Sequence, residues 1–153
     1  MARLHLVRHG ETTSNVMRRL DTALPGAALT DFGARQGVRF GLENVPQQHA
    51  VLLSSRALRA RQTAELMGAA PEALTLDERL REKEFGILDR LTRYGIAAEH
   101  PEQAELRKTL GKFYHRPPGG ESWCDVILRL RSALDTVSLH HCGRRVMIVS
   151  HQV

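Results

Sequence analysis

An arginine and a histidine stand side by side where the first apolar run of the chain ends. The run Leu4–Val7 leads directly into Arg8 and His9, and Gly10 follows. Such a run before a glycine predicts a strand that enters a tight turn. The next residues, Thr12–Asn15, favour a helix N-terminus because their side chains accept hydrogen bonds from its unpaired N–H groups. Backbone donors, the helix dipole and the Arg8 cation would then face one point, which suits an anion such as a phosphoryl group.

Two further chemically active residues follow apolar runs elsewhere in the chain. The run Ala50–Ser54 predicts a second strand, and Arg59 lies in the first turn of the helical pattern behind it. The run Val146–Val149 predicts a buried strand, which His151 follows after one residue. Ligands of parallel α/β sheets gather beyond the carboxyl ends of the strands. We therefore expect His9, Arg59 and His151 to converge in one crevice.

The elements that must position these residues alternate between strands and helices. Helical patterns begin at Thr30 and Ala57, a short strand is predicted at Thr75–Asp77, and Ser122 with Asp125 caps a long helix. The apolar stripe of that helix consists of Trp123, Val126, Ile127, Leu130, Leu134 and Val137. This order predicts a three-layer α/β fold over residues 1–153, a single domain with a mainly parallel sheet and helices on both faces.

One polar helical stretch interrupts this alternation. It runs from Leu91 to Tyr114 and contains the helix breakers Gly95, Pro101 and Gly111. We expect residues 87–117 to form a helical insertion over the active site that caps the substrate.

Composition limits the classes of protein to consider. The chain has 42% hydrophobic and 25% charged residues, which is ordinary for a globular domain. Its net charge is +5, but aromatic residues make up only 5% and no basic run is interleaved with them, so we expect no nucleic-acid partner. No stretch approaches 18 apolar residues, and Cys124 and Cys142 do not form a disulfide framework. A cytoplasmic protein without a membrane partner is expected.

Five segments in order resemble the histidine phosphatase superfamily, which includes the cofactor-dependent phosphoglycerate mutases. The matching segments are Leu6–Thr12 with Asn15, Ser54–Ser55 with Arg59–Ala64, Leu80–Glu82 with Phe85–Gly86, Gly119–Ser122, and Val149–His151. The resemblance implies that His9 is a nucleophile and Glu82 a proton donor. It further implies that Arg8, Arg59 and His151 form the phosphate pocket, with Asn15 as an auxiliary contact.

The chain also departs from the family pattern. Arg56–Ala57 stands where Pro and Leu are usual, and Leu88–Arg90 replaces the usual Trp-x-Gly after the glycine that follows the acid. Tyr114–Arg116 stands where mutases carry twin arginines. The absence of the twin arginines favours a phosphatase over a mutase.

The resemblance, together with these departures, therefore implies a metal-independent phosphomonoesterase that needs no cofactor and acts on a small phosphorylated substrate. A neutral His9 would attack phosphorus, a cationic His151 would bind the phosphoryl oxygens, and Glu82 would protonate the leaving alkoxide. Glu84 or Glu11 could be mistaken for that acid. Two alternatives stay open, namely a phosphoglycerate-type mutase and a catalytically weak protein that binds phospholigands. A zinc site formed by His9, Glu11 and His151 is conceivable, but the nearby arginines oppose it.

The family fold normally continues for tens of residues beyond the second histidine, whereas this chain stops at Val153. Without those elements, the strand Val146–Val149 would have too little cover. We therefore expect either a homodimer that covers it or a less stable monomer. We also expect His151 to be held less firmly than His9.

Overall fold

The computed structural model describes residues 2–44, 49 and 51–152. Its strands are β1 (Arg3–Arg8), β2 (Val51–Ser54), β3 (Leu74–Leu76) and β4 (Arg145–Ser150). Its helices are α1 (Thr13–Val16), α2 (Asp31–Asn44), α3 (Leu58–Leu66), α4 (Arg93–Glu99), α5 (Pro101–Tyr114) and α6 (Trp123–His140). Short 3₁₀ turns lie at Pro71–Ala73, Glu78–Leu80 and Gly86–Leu88. Ala50, where the second strand was predicted to begin, and Val153, the last residue of the chain, lie outside the described residues.

The four strands form one parallel sheet in the order β1-β4-β2-β3. One face carries a buried cluster that joins Val146 and Ile148 to Ala133 and Val137 of α6. The other face joins Val149 and its neighbours to α3. Helices thus cover both faces of a parallel sheet, and the predicted three-layer α/β fold is confirmed.

Strand β4 occupies the interior of this sheet, between β1 and β2. Residues 146–149 are at most 3% exposed, so the expectation that they lack cover is wrong. It failed because β1 pairs along the outer side of β4 and takes the edge position itself. Leu6, which pairs with Ile148 on the α6 side of the sheet, is 73% exposed. The homodimer stays a prediction.

The long helix α6 begins as predicted, because Ser122 and Asp125 form a capping box. Its buried side is narrower than the predicted stripe. Val126, Ala133 and Val137 are buried, whereas the predicted core residues Ile127 and Leu134 are exposed. The helix packs against the sheet through a narrow row of residues that includes Ala133 and Val137. Apolar residues on either side of that row therefore face outward.

The insertion consists of α4 and α5, which pack against each other. Pro101 begins α5, and Gly111, with φ of 72°, breaks it, as predicted. Gly95 does not break α4, since its N–H is bound by the capping side chain of Thr92 within the first turn. Strand β3 lies one residue earlier than predicted, because Asp77 instead caps the turn Glu78–Leu80. No helix among the described residues is long and apolar enough to cross a membrane.

Candidate active site

The turn after β1 fixes the orientation of His9. The Nδ1 atom of His9 lies 2.7 Å from the carbonyl oxygen of Gly10, and Arg59 Nε donates to His9 Nε2 over 3.2 Å. Since arginine can only donate, Nε2 carries the lone pair and Nδ1 carries the proton. The Gly10 N–H donates to Thr63 Oγ1. A Cβ atom at Gly10 would lie 2.5 Å from the carbonyl oxygen of Gly33, so this turn requires a glycine.

Arg59 lies in the first turn of α3 and is 3% exposed. Its Nη2 donates to the carbonyl oxygen of Asp21 over 2.9 Å, and its Nη1 lies 3.6 Å from Asp21 Oδ2. The turn at Gly26 closes over Nη1 and leaves no room for a Cβ atom. Within the described part of the chain, the buried Nη1 has no hydrogen-bond partner.

His151 and Glu82 complete the cluster. His151 Nε2 lies 2.7 Å from Ser55 Oγ, which also accepts from the Ala57 N–H. This arrangement favours donation by the Ser55 hydroxyl and a proton on His151 Nδ1. That nitrogen is 3.7 Å from Glu82 Oε2, and the two histidine rings lie 5.2 Å apart. The side chain of His151 is fully buried, so its contacts do not bear out the expectation of a loosely held residue.

Burial sets the protonation states of these three groups. It lowers the pKa of His9 from 6.5 to about 4, assisted by the charges of Arg59 and Arg8. Burial and the charges of Arg59, His9, Arg129 and Arg8 hold the pKa of His151 far below its ordinary value. This favours a neutral His151 in the free site, because desolvation and neighbouring cations disfavour a further positive charge. A cationic His151 against a bound phosphoryl group stays a prediction. Burial also raises the pKa of Glu82, which favours the protonated acid.

A network of side chains holds the loop that carries Glu82. Arg129 of α6 donates to the carbonyl oxygens of Glu82 and Arg79. Glu121 accepts hydrogen bonds from Arg129 through both carboxylate oxygens and one from Arg81 over 2.7 Å. Arg129 and Glu121 are largely buried. The position of the acid therefore depends on an ion pair from a segment about forty residues later in the chain.

The two other acid candidates face elsewhere. Glu84 lies 3.6 Å from Arg81 Nε, and its N–H donates to Glu121. Glu11 accepts a hydrogen bond from the Thr30 hydroxyl over 2.9 Å. Glu82 is thus the carboxyl group that the fold places beside the two histidines.

Arg8 and Asn15 lie at the edge of the cluster and are both exposed. They line, together with His9, a cavity of about 430 Å³ against α2. The amide oxygen of Asn15 accepts a hydrogen bond from the Thr12 N–H in the capping box of α1. Their roles in binding phosphate stay predictions.

Several residues whose roles the sequence did not reveal surround the cluster and hold its side chains in place. Ser55 holds His151, and Thr63 links Gly10 to α3; both stand within matched segments, which was the available signal. Asp21 holds Arg59 from a loop whose sequence carries no motif. Glu121 stood within a matched segment as well, but its partner Arg129 looked like one of many surface arginines.

Three ligand atoms from His9, Glu82 and His151 lie within 4.8 Å of one another, which a metal ion could accept. Glu82 thereby takes the place that the sequence had offered to Glu11. The guanidinium of Arg59 lies beside this set, with its Nε 3.2 Å from His9 Nε2. A buried guanidinium at a ligand nitrogen opposes a divalent cation, and the donor set therefore fits a metal poorly.

Comparisons with known proteins agree with this geometry. The family model for the histidine phosphatase superfamily (branch 1) matches residues 4–153. A protein named probable phosphoglycerate mutase GpmB, from Erwinia tasmaniensis, is 34% identical over 99% of this chain and 70% of its own length.

Two solved structures illustrate the structural similarity. The alpha-ribazole phosphatase from Shigella flexneri has a TM-score of 0.87 at 25% identity, covering 98% of this chain and 74% of its own. A mycobacterial glucosyl-3-phosphoglycerate phosphatase, in a complex with VO3, has a TM-score of 0.78 at 30% identity, covering 95% of this chain and 74% of its own.

Proposed function

Because the chain belongs to branch 1 of the histidine phosphatase superfamily, we propose that it is a metal-independent phosphomonoesterase acting through a phosphohistidine on a small phosphorylated metabolite. The observation that carries this proposal is the fixed tautomer of His9. Gly10 holds the Nδ1 proton, while Nε2 keeps its lone pair beside the buried guanidinium of Arg59. A neutral nucleophile next to a cation suits attack on a phosphoryl dianion.

In the first half of the reaction, the phosphoryl group takes over the hydrogen bond of Arg59 Nε, and the freed Nε2 lone pair of His9 forms a bond to phosphorus as the ester P–O bond breaks. The guanidinium of Arg59, Arg8 and His151 Nδ1 stabilise the equatorial oxygens, where negative charge spreads. Glu82 transfers its proton to the departing alkoxide, and its raised pKa keeps that proton available.

In the second half, water attacks phosphorus and the P–N bond breaks. The Glu82 carboxylate, now deprotonated, takes the proton from the attacking water. Inorganic phosphate leaves, and His9 and the protonated Glu82 are regenerated.

A phosphoglycerate-type mutase is the second candidate, and the relative from Erwinia tasmaniensis favours it by its name. A mutase must hold a second substrate that accepts the phosphoryl group in place of water. In the segment where mutases carry twin arginines, His115 is buried and Arg116 pairs with Asp125 of α6. This arrangement supports hydrolysis as the first choice.

The test combines turnover with chemical trapping. Purified protein is assayed on para-nitrophenyl phosphate with and without EDTA. A separate reaction with radiolabelled substrate is quenched in alkali, in which phosphohistidine survives. We expect hydrolysis both with and without EDTA, and we expect label on His9. His9→Ala should abolish the hydrolysis and the labelling.

Circular dichroism of His9→Ala controls for loss of the fold. Activity lost with EDTA and restored by zinc would contradict the metal-independent reaction. Transfer of the label to phosphoglycerate in preference to water would support the mutase. Binding of phosphate without turnover on any ester would support a protein that only binds phospholigands.

A further inference from the structure

A largely buried carboxylate lies behind the arginine that would bind the phosphoryl group. Asp21 Oδ2 is 3.6 Å from Arg59 Nη1, and the two side chains are 12% and 3% exposed. The reaction proposed above does not use this carboxylate. A phosphoryl dianion must approach the same guanidinium, and like charges repel each other most strongly where little water separates them. The negative charge of Asp21 therefore calls for an explanation.

The carboxylate is not what fixes the position of Arg59. The guanidinium donates through Nη2 to the main-chain carbonyl oxygen of Asp21 over 2.9 Å and through Nε to His9 Nε2 over 3.2 Å. Neither contact involves the Asp21 side chain. Its Oδ2 lies at ion-pair distance from Nη1 but forms no hydrogen bond with it. The carboxylate therefore acts on Arg59 mainly through its charge.

The effect of this charge extends to the nucleophile. Burial lowers the pKa of Arg59, and Asp21 is foremost among the carboxyl groups that oppose this effect, ahead of Glu82 and Asp89. Burial likewise lowers the pKa of His9, and the charge of Asp21 acts to raise it. The free phosphoryl half of the site thus contains its own counterion.

The contacts of the Asp21 side chain converge on one oxygen atom. Besides facing Arg59, Oδ2 accepts hydrogen bonds from the Ala27 N–H over 2.9 Å and from the Ser14 hydroxyl over 3.2 Å. The amide oxygen of an asparagine can take the place of Oδ2 and accept the same two bonds. Asp21→Asn therefore removes the charge and keeps the loop contacts, which separates the two roles in an experiment.

We propose that Asp21, acting through Arg59, is an internal counterion that weakens the binding of the inorganic phosphate product and so promotes its release. This inference rests on the proposed function, because that function places the phosphoryl group against Arg59. A bound dianion competes with Asp21 for the guanidinium, and repulsion from the carboxylate cancels part of its attraction. The wild-type site then holds phosphate less tightly than its arginines alone would.

Calorimetry with inorganic phosphate tests the proposal without turnover. At slightly alkaline pH, where phosphate is mainly a dianion, Asp21→Asn should bind it about three- to tenfold more tightly than the wild type, the size of a partly screened charge interaction. Phosphate should also inhibit the hydrolysis of para-nitrophenyl phosphate more strongly by the same factor. A purely structural role for Asp21 predicts the opposite sign, because a displaced Arg59 would bind phosphate more weakly.

Two variants serve as matched controls. Asp135→Asn removes one negative charge from an exposed position of α6 and should leave the affinity for phosphate unchanged. Ser14→Ala removes a hydrogen bond of Asp21 but no charge, and it should not tighten the binding of phosphate. Thermal melting checks that each variant folds, and Asp21→Gln, which is also neutral, replaces Asp21→Asn if the latter does not.

Phosphate binding by the neutral variant that is equal to or weaker than that of the wild type would overturn the proposal. An equal gain in Asp135→Asn or Ser14→Ala would do the same, as would a lack of phosphate binding in wild type and variant alike. Tighter binding in Asp21→Asn without hydrolysis of any ester would refute the phosphomonoesterase and retain the counterion. Hydrolysis of para-nitrophenyl phosphate without a gain in affinity would refute the counterion and retain the enzyme.

Discussion

The two halves of the candidate site are built by different means. The half that would hold the phosphoryl group stands on regular structure. His9 continues the ladder of β1 through its backbone bond to Ser150, His151 follows β4 directly, and Arg59 lies in the first turn of α3. The half that would hold the alcohol is a loop with Glu82, whose shape depends on contacts with Arg129.

This difference predicts how each half responds to change. Backbone hydrogen bonds of a buried sheet are made whatever the side chains are, so the geometry around His9 is insensitive to distant substitutions. The loop of Glu82 depends on charged side chains, whose loss leaves a partner buried and unpaired. Substitutions there should alter which alcohol leaves and preserve the transfer of phosphorus to His9.

The largest effect is expected from Arg59 in the phosphoryl half. Arg59→Met removes the guanidinium that touches His9 Nε2 and faces the anion, and we expect kcat/KM to fall by about 10³–10⁵ on every ester. Arg59→Lys should recover little, because lysine lacks the planar fork. Steady-state kinetics on an aryl and an alkyl phosphate measure both losses.

Arg61→Met is the matched control, since Arg61 is exposed two residues further along α3. It should retain wild-type kinetics. If Arg59→Met lost activity on alkyl esters alone, the division of the site into two halves would be wrong.

The next effect belongs to the acid. Glu82→Gln should reduce kcat on an alkyl phosphate by about 10²–10⁴, the usual contribution of a general acid. It should affect para-nitrophenyl phosphate much less, because nitrophenolate leaves without a proton. Burst kinetics on both esters measure the step that forms the phosphohistidine.

Glu84→Gln serves as the control, because Glu84 faces Arg81 rather than the histidines. Equal losses on both esters in Glu82→Gln would exclude Glu82 as the acid. A selective loss on alkyl esters in Glu84→Gln would transfer the role to Glu84.

The same contrast explains what could be predicted from the sequence. An apolar run ending in Arg8 and His9 defines a strand end, and a parallel sheet brings such ends together whatever lies between them. The cluster of His9, Arg59 and His151 was therefore predictable. The lowered pKa of His151 was not, because it follows from burial and from the charges of groups distant in sequence, Arg59 and Arg129 among them.

Long-range side-chain pairs also escaped prediction. Arg129 looks like an ordinary polar residue of an amphipathic helix, and only the packing of α6 shows that it binds the carbonyl of Glu82. The edge position of β1 escaped for a related reason. Sequence order does not give strand order, so the sequence could not show that β4 lies inside the sheet and β1 at its edge.

A smaller effect is expected from Glu121, which positions the acid loop without touching the histidines in the structure. Glu121→Gln weakens the buried ion pair with Arg129 and frees the loop to shift. A displacement of about 1 Å can cost up to about a hundredfold in rate, so we expect a loss of about ten- to a hundredfold on alkyl esters and less on para-nitrophenyl phosphate. The ratio of the two rates is the measurement.

Glu78→Gln is the control, because Glu78 lies four residues before Glu82 and forms an exposed pair with Arg56. It should leave the ratio unchanged. If Glu121→Gln lowered the melting temperature without changing the ratio, Glu121 would stabilise the fold and have no part in positioning the acid.

The smallest effect concerns the protonation of His9, which tests the phosphoryl half of the site through its dependence on pH. With a pKa of about 4, His9 stays neutral well below pH 6.5, so its protonation should lower kcat/KM only as the pH approaches 4. The charge of Arg8 contributes to that lowered pKa, and Arg8→Gln should therefore raise it. The substrate's own ionisation near pH 6 is common to both proteins, so the difference between their pH profiles reports the enzyme. Nitrogen NMR of His9 follows its titration without substrate. A titration of His9 near pH 6.5 by NMR in the wild type would mean that it is neither desolvated nor opposed by its two arginines.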